Sequence, residues 1–517
     1  MTAVAERASE AAWSTGPALS RRAAIVAGVV VFVVAAVIRV ALLRTARFGG
    51  DEALFFQIAT GIVDGESWPL LGTQITDGAA RLPGPTFLYL MAMPLLVWRA
   101  PEAQFLFVEL LGAVTVVVQW HALRRPFGER AAWVTGLLVA CSPWSALYAD
   151  RTWNPNVLPF FVAVALLAAG RVRADPASRW AVALGPLLAV MPHLHMAAPV
   201  AWAGVLVVAG PALRRIPRRH VVVGLGLVAA LYVPLAVHEL QTGFANVRLI
   251  VAETVGRQGG ERHPWGFVWV PVYALRFLTL DVTYHELSGY WGGPDELRSL
   301  QALWQGTAAR PFHPLRALAL GASLVLALAS IIVVVRGAWR ARTVGVYGAA
   351  FGAALAVNTL LMGAAAKQVF GHYVSCLYPF VVLVWAALFA RLASRPAPWA
   401  FVGGVLVAVV VAVGGVEATW SVSRRVDAKI GLGVHRCVAP VLVNAARAQG
   451  TPAGPVRLEF RGLHSSTFDW QVFLRHALSS PLRLDTRARE LRFALQPASL
   501  RRPADARDDG ARLGRLR

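Results

Sequence analysis

The sequence predicts an all-α polytopic membrane protein with about eleven transmembrane helices, additional interfacial helices, and a small extracytoplasmic α/β appendage at the C-terminal end. Three observations carry that class. Hydrophobic residues make up 57% of the 517-residue chain, and they come in long runs rather than in alternation. Counting Gly in place of Tyr raises the apolar share to about 64%, against a usual value of about 45–50%. Charged residues make up only 15%, against roughly a quarter in soluble domains, and the basic ones sit at the ends of the apolar runs.

The same composition excludes several functional classes. A formal charge of +22 would suit a nucleic-acid binder, but the basic residues form no stripe with interleaved aromatics, so no nucleic-acid partner is expected. Only Lys367 and Lys429 are lysines, and neither follows a glycine, which excludes a GK-containing phosphate loop and a built-in ATP-driven motor. Cys141, Cys376 and Cys437 lie far apart with no paired spacing, so neither a disulfide framework nor a zinc ribbon is supported.

Taken in order, residues 1–19 read as a disordered cytoplasmic N-terminus. The first apolar run, 23–43, is like a secretory signal in length, but no small-residue cleavage pattern follows it, so it reads as an uncleaved anchor. Further spans are expected at 105–123, 131–148, 157–170, 180–192, 196–211, 221–238, 315–335, 344–363, 370–390 and 400–416, which completes a transmembrane domain over 20–416. The run 86–98, about 13 residues long, suits an interfacial or re-entrant helix better.

Charge placement supports that choice. With 86–98 in the interface, one side of the membrane collects Arg21 and Arg22, then Arg124, Arg125 and Arg130, then Arg171, Arg173 and Arg179. The same side later receives Arg214, Arg215, Arg218 and Arg219, then Arg336, Arg340 and Arg342, then Arg391 and Arg395. Arginine-rich short loops are cytoplasmic loops, and one more span would put all of them outside. Arg39, Arg44 and Arg47 run against the rule; they either snorkel to headgroups or serve a site. The large outer pieces are then the loops 44–104 and 239–314 and a C-terminal domain, 417–517, which mixes a helical pattern at 434–448 with a strand-like 456–460.

Four polar corners fall on the outer side. The first is Gly49, Gly50, Asp51 and Glu52, directly after the first span and opening an amphipathic stretch. Adjacent carboxylates on a helix point about 100° apart, so only one can face a given site. The plainer reading, of equal weight, is that Asp51 caps a helix and Glu52 favours its positive end. The same outer loop carries Asp77, Arg81, Pro83 and Pro85 just before the interfacial helix, with Arg81 suited to a phosphate at headgroup level or to snorkelling. The second corner is Asp150, Arg151, Thr152, Trp153, Asn154, Pro155 and Asn156, where Asp150 and Arg151 can pair with each other. The third holds His193 and His195. Their i, i+2 spacing does not put two ligands on one helical face, so they read first as satisfied polar residues at a helix break. The fourth is Lys367, Gln368, His372 and Tyr373 at the mouth of a span, a phosphate grip or an anchor.

At these residues the sequence resembles the GT-C membrane glycosyltransferases, and most of all the bacterial branch related to the RgtA/B/C/D sugar transferases. Protein O-mannosyltransferases and aminoarabinose transferases are more distant relatives. The shared elements are Gly50-Asp51-Glu52, the Arg81/Pro83/Pro85 segment, the Arg151/Trp153/Asn154/Pro155 turn, the His195 corner, and His372/Tyr373 through Tyr378/Pro379. They cover roughly the first 390 residues and leave out the tail. The resemblance implies inverting transfer of a sugar from a polyprenyl-phosphate donor to a glycan, lipid or protein acceptor of the cell envelope, on the outer face of the inner (plasma) membrane. It implies that Asp51 is the general base, with Glu52 beside it. The implied substrate-binding residues are Arg81, Asp150, Arg151, Asn154, His193, His195, Lys367, His372 and Tyr373. Arg81 stands in the place of a basic residue that binds the carrier phosphate in some relatives, and His372 where relatives often have Arg before Tyr. Some relatives carry an Asp where this chain has Asn154 and Asn156. Relatives differ in their use of a divalent metal, so that cofactor stays open and no metal ligand is assigned.

The loop 239–314 contains Trp265, Trp269, Tyr273, Tyr284, Tyr290, Trp291 and Trp304, which suits either a lid that stacks on sugar and isoprenoid or an interfacial belt. The rival class is a transporter or flippase of lipid-linked sugars, which would need ionisable groups at the bilayer midplane and paired broken spans. A further rival is an inactive scaffold whose tail binds a partner.

Overall fold

The computed structural model describes residues 20–43, 45–46, 48–75, 79–147, 151–255, 264–279, 314–338, 342–365, 369, 371–395 and 398–426, together with two strands in the tail. The helices in chain order are α1 (Arg21–Val40), α2 (Gly50–Val63), α3 (Thr86–Ala92), α4 (Pro101–Phe127), α5 (Glu129–Ala140), α6 (Pro143–Leu147), α7 (Asn154–Ala174), α8 (Trp180–Val190) and α9 (Ala198–Ala209). They continue with α10 (Arg218–Thr242), α11 (Ala245–Val255), α12 (Trp269–Thr279), α13 (Pro314–Ala338), α14 (Arg342–Ala365), α15 (Gly371–Val374), α16 (Tyr378–Ala393) and α17 (Pro398–Val426).

All the expected spans are helical, but among the described residues only 8 helices are long and apolar enough to cross a bilayer. Three of the expected spans are shorter than read from hydropathy. α5, α8 and α9 have 12, 11 and 12 residues. The cause is local. Pro143 starts a separate helix after α5, Pro192 tightens the end of α8 into a 3₁₀ turn, and Gly210, at φ 50, stops α9. The segment 86–98 folds as the seven-residue α3 and a 3₁₀ turn, Met93–Leu96, broken at Pro94, and it leaves Val97 92% exposed.

α16 is the central pillar. Every residue from Tyr378 to Ala390 is buried, because α5, α13, α14 and α17 surround it. Close approach elsewhere depends on small residues: a Cβ added at Gly204 of α9 would lie 2.2 Å from Phe380 and 2.9 Å from the Ala350 carbonyl of α14. α10 stands at the edge, packed mainly against α8, with Val222, Leu225 and Leu240 turned outward.

The arginine-rich turns gather at one end. His121, at the end of α4, contacts Arg171, at the end of α7, and Arg173 donates to the Val208 carbonyl of α9 (3.4 Å). Arg39 departs from both expectations. It neither snorkels nor faces a site: it is fully buried, and its guanidinium donates to the Ala35 and Ala140 carbonyls (2.9 and 3.2 Å) and to Ser145 Oγ (2.5 Å). A cation on the final carbonyls of α5 satisfies a helix end that would otherwise be orphaned in an apolar setting. Arg44 and Arg47 lie outside the described residues.

In the tail, α17 runs on to Val426, past the expected boundary at 416. The strand-like segment forms β1 (Arg457–Phe460), which pairs in parallel with β2 (Glu490–Phe493), Arg457 opposite Glu490. The helical pattern at 434–448 lies outside the described residues.

Candidate active site

α2 begins at Gly50, with the extended Gly49 as its N-cap, so Asp51 does not cap the helix but sits in its exposed first turn. Glu52, about 100° further round, turns inward and is fully buried. Its Oε2 accepts the Gly49 N–H (3.0 Å), the reach-back half of a capping box. Its Oε1 accepts from Arg151 Nε (2.6 Å) and Nη2 (2.5 Å). Two charges removed from water are tolerated here because each faces the other.

Arg151 lies on an extended strap before α7, which Pro155 starts at its first turn and Trp153 precedes as N-cap. The strap lays the Arg151 guanidinium over the Trp153 ring, 4.2 Å from its centroid. Trp153 packs on His372 (4.7 Å between centroids), which packs on Tyr373 (4.2 Å); His195 closes the group at 6.1 Å from His372 and 5.9 Å from Tyr373. Backbone ties fix the corners to one another. Asn154 Nδ2 donates to the Leu194 carbonyl (2.6 Å), and Asn358 Nδ2 to the Tyr373 carbonyl (3.3 Å).

The tautomer of His195 follows from its contacts. Nδ1 accepts the Ala197 N–H (3.1 Å), so the proton of the neutral ring is on Nε2. Burial lowers its pKa from 6.5 to about 4, which keeps it a neutral hydrogen-bond donor near pH 7.

His193, fully buried, takes another path. Its Nδ1 lies 2.9 Å from Thr86 Oγ1 and its ring packs on Tyr232 (4.8 Å). Gly84 allows this, since a Cβ there would be 2.1 Å from His193 Nδ1. Arg81 is on a hairpin, bridged antiparallel to Gln74, and not on a simple turn. Its backbone is held by Asn246 of α11, whose Oδ1 accepts the Arg81 N–H (2.8 Å) and whose Nδ2 donates to the Arg81 carbonyl (3.1 Å). The Arg81 side chain is exposed and bonds to no described residue of the cluster.

The structure therefore joins Glu52, Arg151, His195, His372 and Tyr373 directly, with Asn154 as a tie and His193 and Arg81 adjoining through the hairpin. Asp150 and Lys367 lie outside the described residues. All of this is at the end of the bundle away from the arginine-rich turns.

No protein-family model and no curated protein matches the chain in sequence. Solved structures match it in fold. ArnT from Cupriavidus metallidurans, in the apo state, superposes with a TM-score of 0.54 at 16% identity, covering 86% of this chain and 84% of ArnT. The same protein bound to undecaprenyl phosphate gives 0.53 at 15% identity, covering 87% and 85%. The chain has the fold of the GT-C membrane glycosyltransferases.

Within this GT-C fold several site-forming residues carry no signal in the sequence. Asn246, Thr86, Tyr232 and Gly84 are ordinary polar, aromatic and turn residues in linear order. They matter through contacts made 165 and 107 positions away, which no local pattern encodes.

Proposed function

We propose that the protein is an inverting glycosyltransferase that moves a sugar from a polyprenyl-phosphate donor to a cell-envelope acceptor on the outer face of the inner membrane. The observation that supports this most is the junction of Glu52, Arg151, Trp153, His372 and His195 at the bundle end opposite the arginine-rich turns, in a fold shared with a protein that binds undecaprenyl phosphate. In this reading α5, α8 and α9, lengthened by their flanking turns, also cross the membrane.

Asp51, exposed beside the immobile Glu52, is the base. It takes the proton of the acceptor hydroxyl as that oxygen bonds to the anomeric carbon, and the bond from that carbon to the phosphate oxygen breaks with its electron pair. A single displacement inverts the centre, and proton removal contributes roughly 10²- to 10⁴-fold. Charge then develops on the leaving polyprenyl phosphate. The exposed Arg81 and the Nε2–H of His195 answer it, with Lys367 as a further cation. Arg151 is neutralised by Glu52, so it positions Trp153 and through it His372; Asn154 likewise positions the histidine corner. His372, Tyr373 and Trp153 form the wall for the sugar.

The test uses the purified full chain in detergent, defined polyprenyl-phosphate sugars and envelope extracts, with products read by mass. A new glycosidic bond is expected, Asp51→Asn should abolish it, and Arg81→Ala should mainly raise the donor KM. Full activity of the Asp51→Asn protein defeats the base assignment. A flippase would form no bond in detergent and would act only in vesicles.

A further inference from the structure

At the bundle end opposite the candidate active site, basic side chains converge instead of spreading. His121, Arg124 and Arg125 are on the last turns of α4, and Arg171 is on the last turn of α7. His121 Nε2 lies 2.7 Å from Arg171 Nη2, and its Nδ1 lies 3.3 Å from Arg124 Nη1. A neutral imidazole has one lone pair and one N–H, so it accepts from only one of these guanidinium groups and turns a proton toward the other. Arg125 is within electrostatic reach of both His121 and Arg171.

Among the described residues, Glu129 is the carboxylate that reaches the group. Gly128, at φ 83, folds the chain back so that both Glu129 oxygens accept from Arg124 Nε (2.8 Å) and Oε1 also contacts Nη2 (2.6 Å). The Trp120 ring covers the other face of Arg124 at 5.0 Å. Arg124 is thus neutralised, whereas Arg125 and Arg171 meet no carboxylate among the described residues. A solitary interfacial arginine extends to the headgroups and needs no protein partner. Guanidinium groups packed round one imidazole repel each other, and the surplus charge calls for an anion.

We propose that Arg125 and Arg171, gathered round His121, form a binding site for a phosphate anion, separate from the transfer site. Paired guanidinium N–H groups match phosphate oxygens in geometry as well as charge. The phosphate can come from a phospholipid headgroup of the adjacent leaflet or from free phosphate, and the test distinguishes them.

The thermal unfolding midpoint of the full-length protein in detergent is followed while phosphatidylglycerol, phosphatidylcholine or inorganic phosphate is titrated. Phosphatidylglycerol should raise the midpoint saturably and phosphatidylcholine should not. Arg125→Gln and Arg171→Gln should each raise the half-saturating concentration about tenfold. Arg125 is exposed and bonds to no described residue, so its substitution leaves the fold intact and its shift reports binding. An equal rise with inorganic phosphate identifies the free anion as ligand; a rise with phosphatidylglycerol alone identifies the lipid. Asp51→Asn should leave the response unchanged, whatever its effect on transfer. Absence of a rise with both phosphate probes, or a full response in the R125Q/R171Q double variant, overturns the site.

Discussion

Glu52 and Arg151 are buried together and each compensates the other's charge, and that sets how each tolerates change. Removing one partner leaves a buried charge alone, so Glu52→Gln should destabilise the protein by about 3–5 kcal/mol, read as a fall in the detergent unfolding midpoint. Replacing both with neutral residues of similar volume should cost clearly less than the two single losses added together, and a double-variant loss equal to that sum would show that the pair is not coupled. His195 yields a pH prediction. Its pKa is lowered from 6.5 to about 4, so the working form is neutral, and kcat/KM should show no ionisation near 6.5. The folded corner binds fewer protons than the unfolded chain, so its contribution to stability is present above about 6.5 and declines as pH falls towards 4. A fall in kcat/KM as pH rises through about 6.5 that disappears in His195→Gln would instead make the imidazolium the working form. The sequence made the Asp51–Glu52 doublet conspicuous, and helix geometry required the two to diverge. Which one turned inward depended on Arg151, 99 positions away, and was not legible.

At the scale of elements, the segment after α10 reaches the hairpin that carries Arg81 through a turn of unusual shape. Gly243 and Phe244 end α10 with φ of 62° and 63°, both left-handed. A residue with a Cβ meets about 1–2 kcal/mol of strain there, so this exit is specified by what it delivers, namely Asn246 against the Arg81 backbone. Asn246→Ala should lose both bonds, raise the donor KM several-fold and leave kcat nearly unchanged; Asn246→Asp keeps the acceptor and should fall between. Equal effects on KM and kcat would reduce the clamp to a folding contact. Hydropathy marked the apolar helices correctly but overestimated α5, α8 and α9, since it weighs side chains and overlooks the prolines and Gly210 that interrupt the backbone hydrogen bonds. Charge placement left Arg39 either at the headgroups or at a site, because burial on the Ala140 carbonyl is a tertiary fact.

For the whole molecule, one charge rule separates the two ends of the bundle. Basic residues of successive short turns meet one another, as His121 and Arg171 do, and the acidic and histidine corners meet at the other end. In cells of a cysteine-free variant, a membrane-impermeant thiol reagent should label Glu66→Cys from outside, and Ala177→Cys only after permeabilisation. The reverse pattern would turn the protein over and remove the outer-face reading.

The ion pair that joins residue 52 to residue 151, and the aromatic chain that runs on to residue 372, also constrain how the protein is made. At synthesis rates of about 5–20 residues per second, His372 emerges about 15–65 s after Glu52. Throughout that interval a carboxylate destined for burial lacks the neighbours that complete its surroundings. A chain released early therefore inserts its first helices yet lacks the His372 side of this cluster, so ribosome stalling before the tenth apolar segment yields a membrane protein without a workshop.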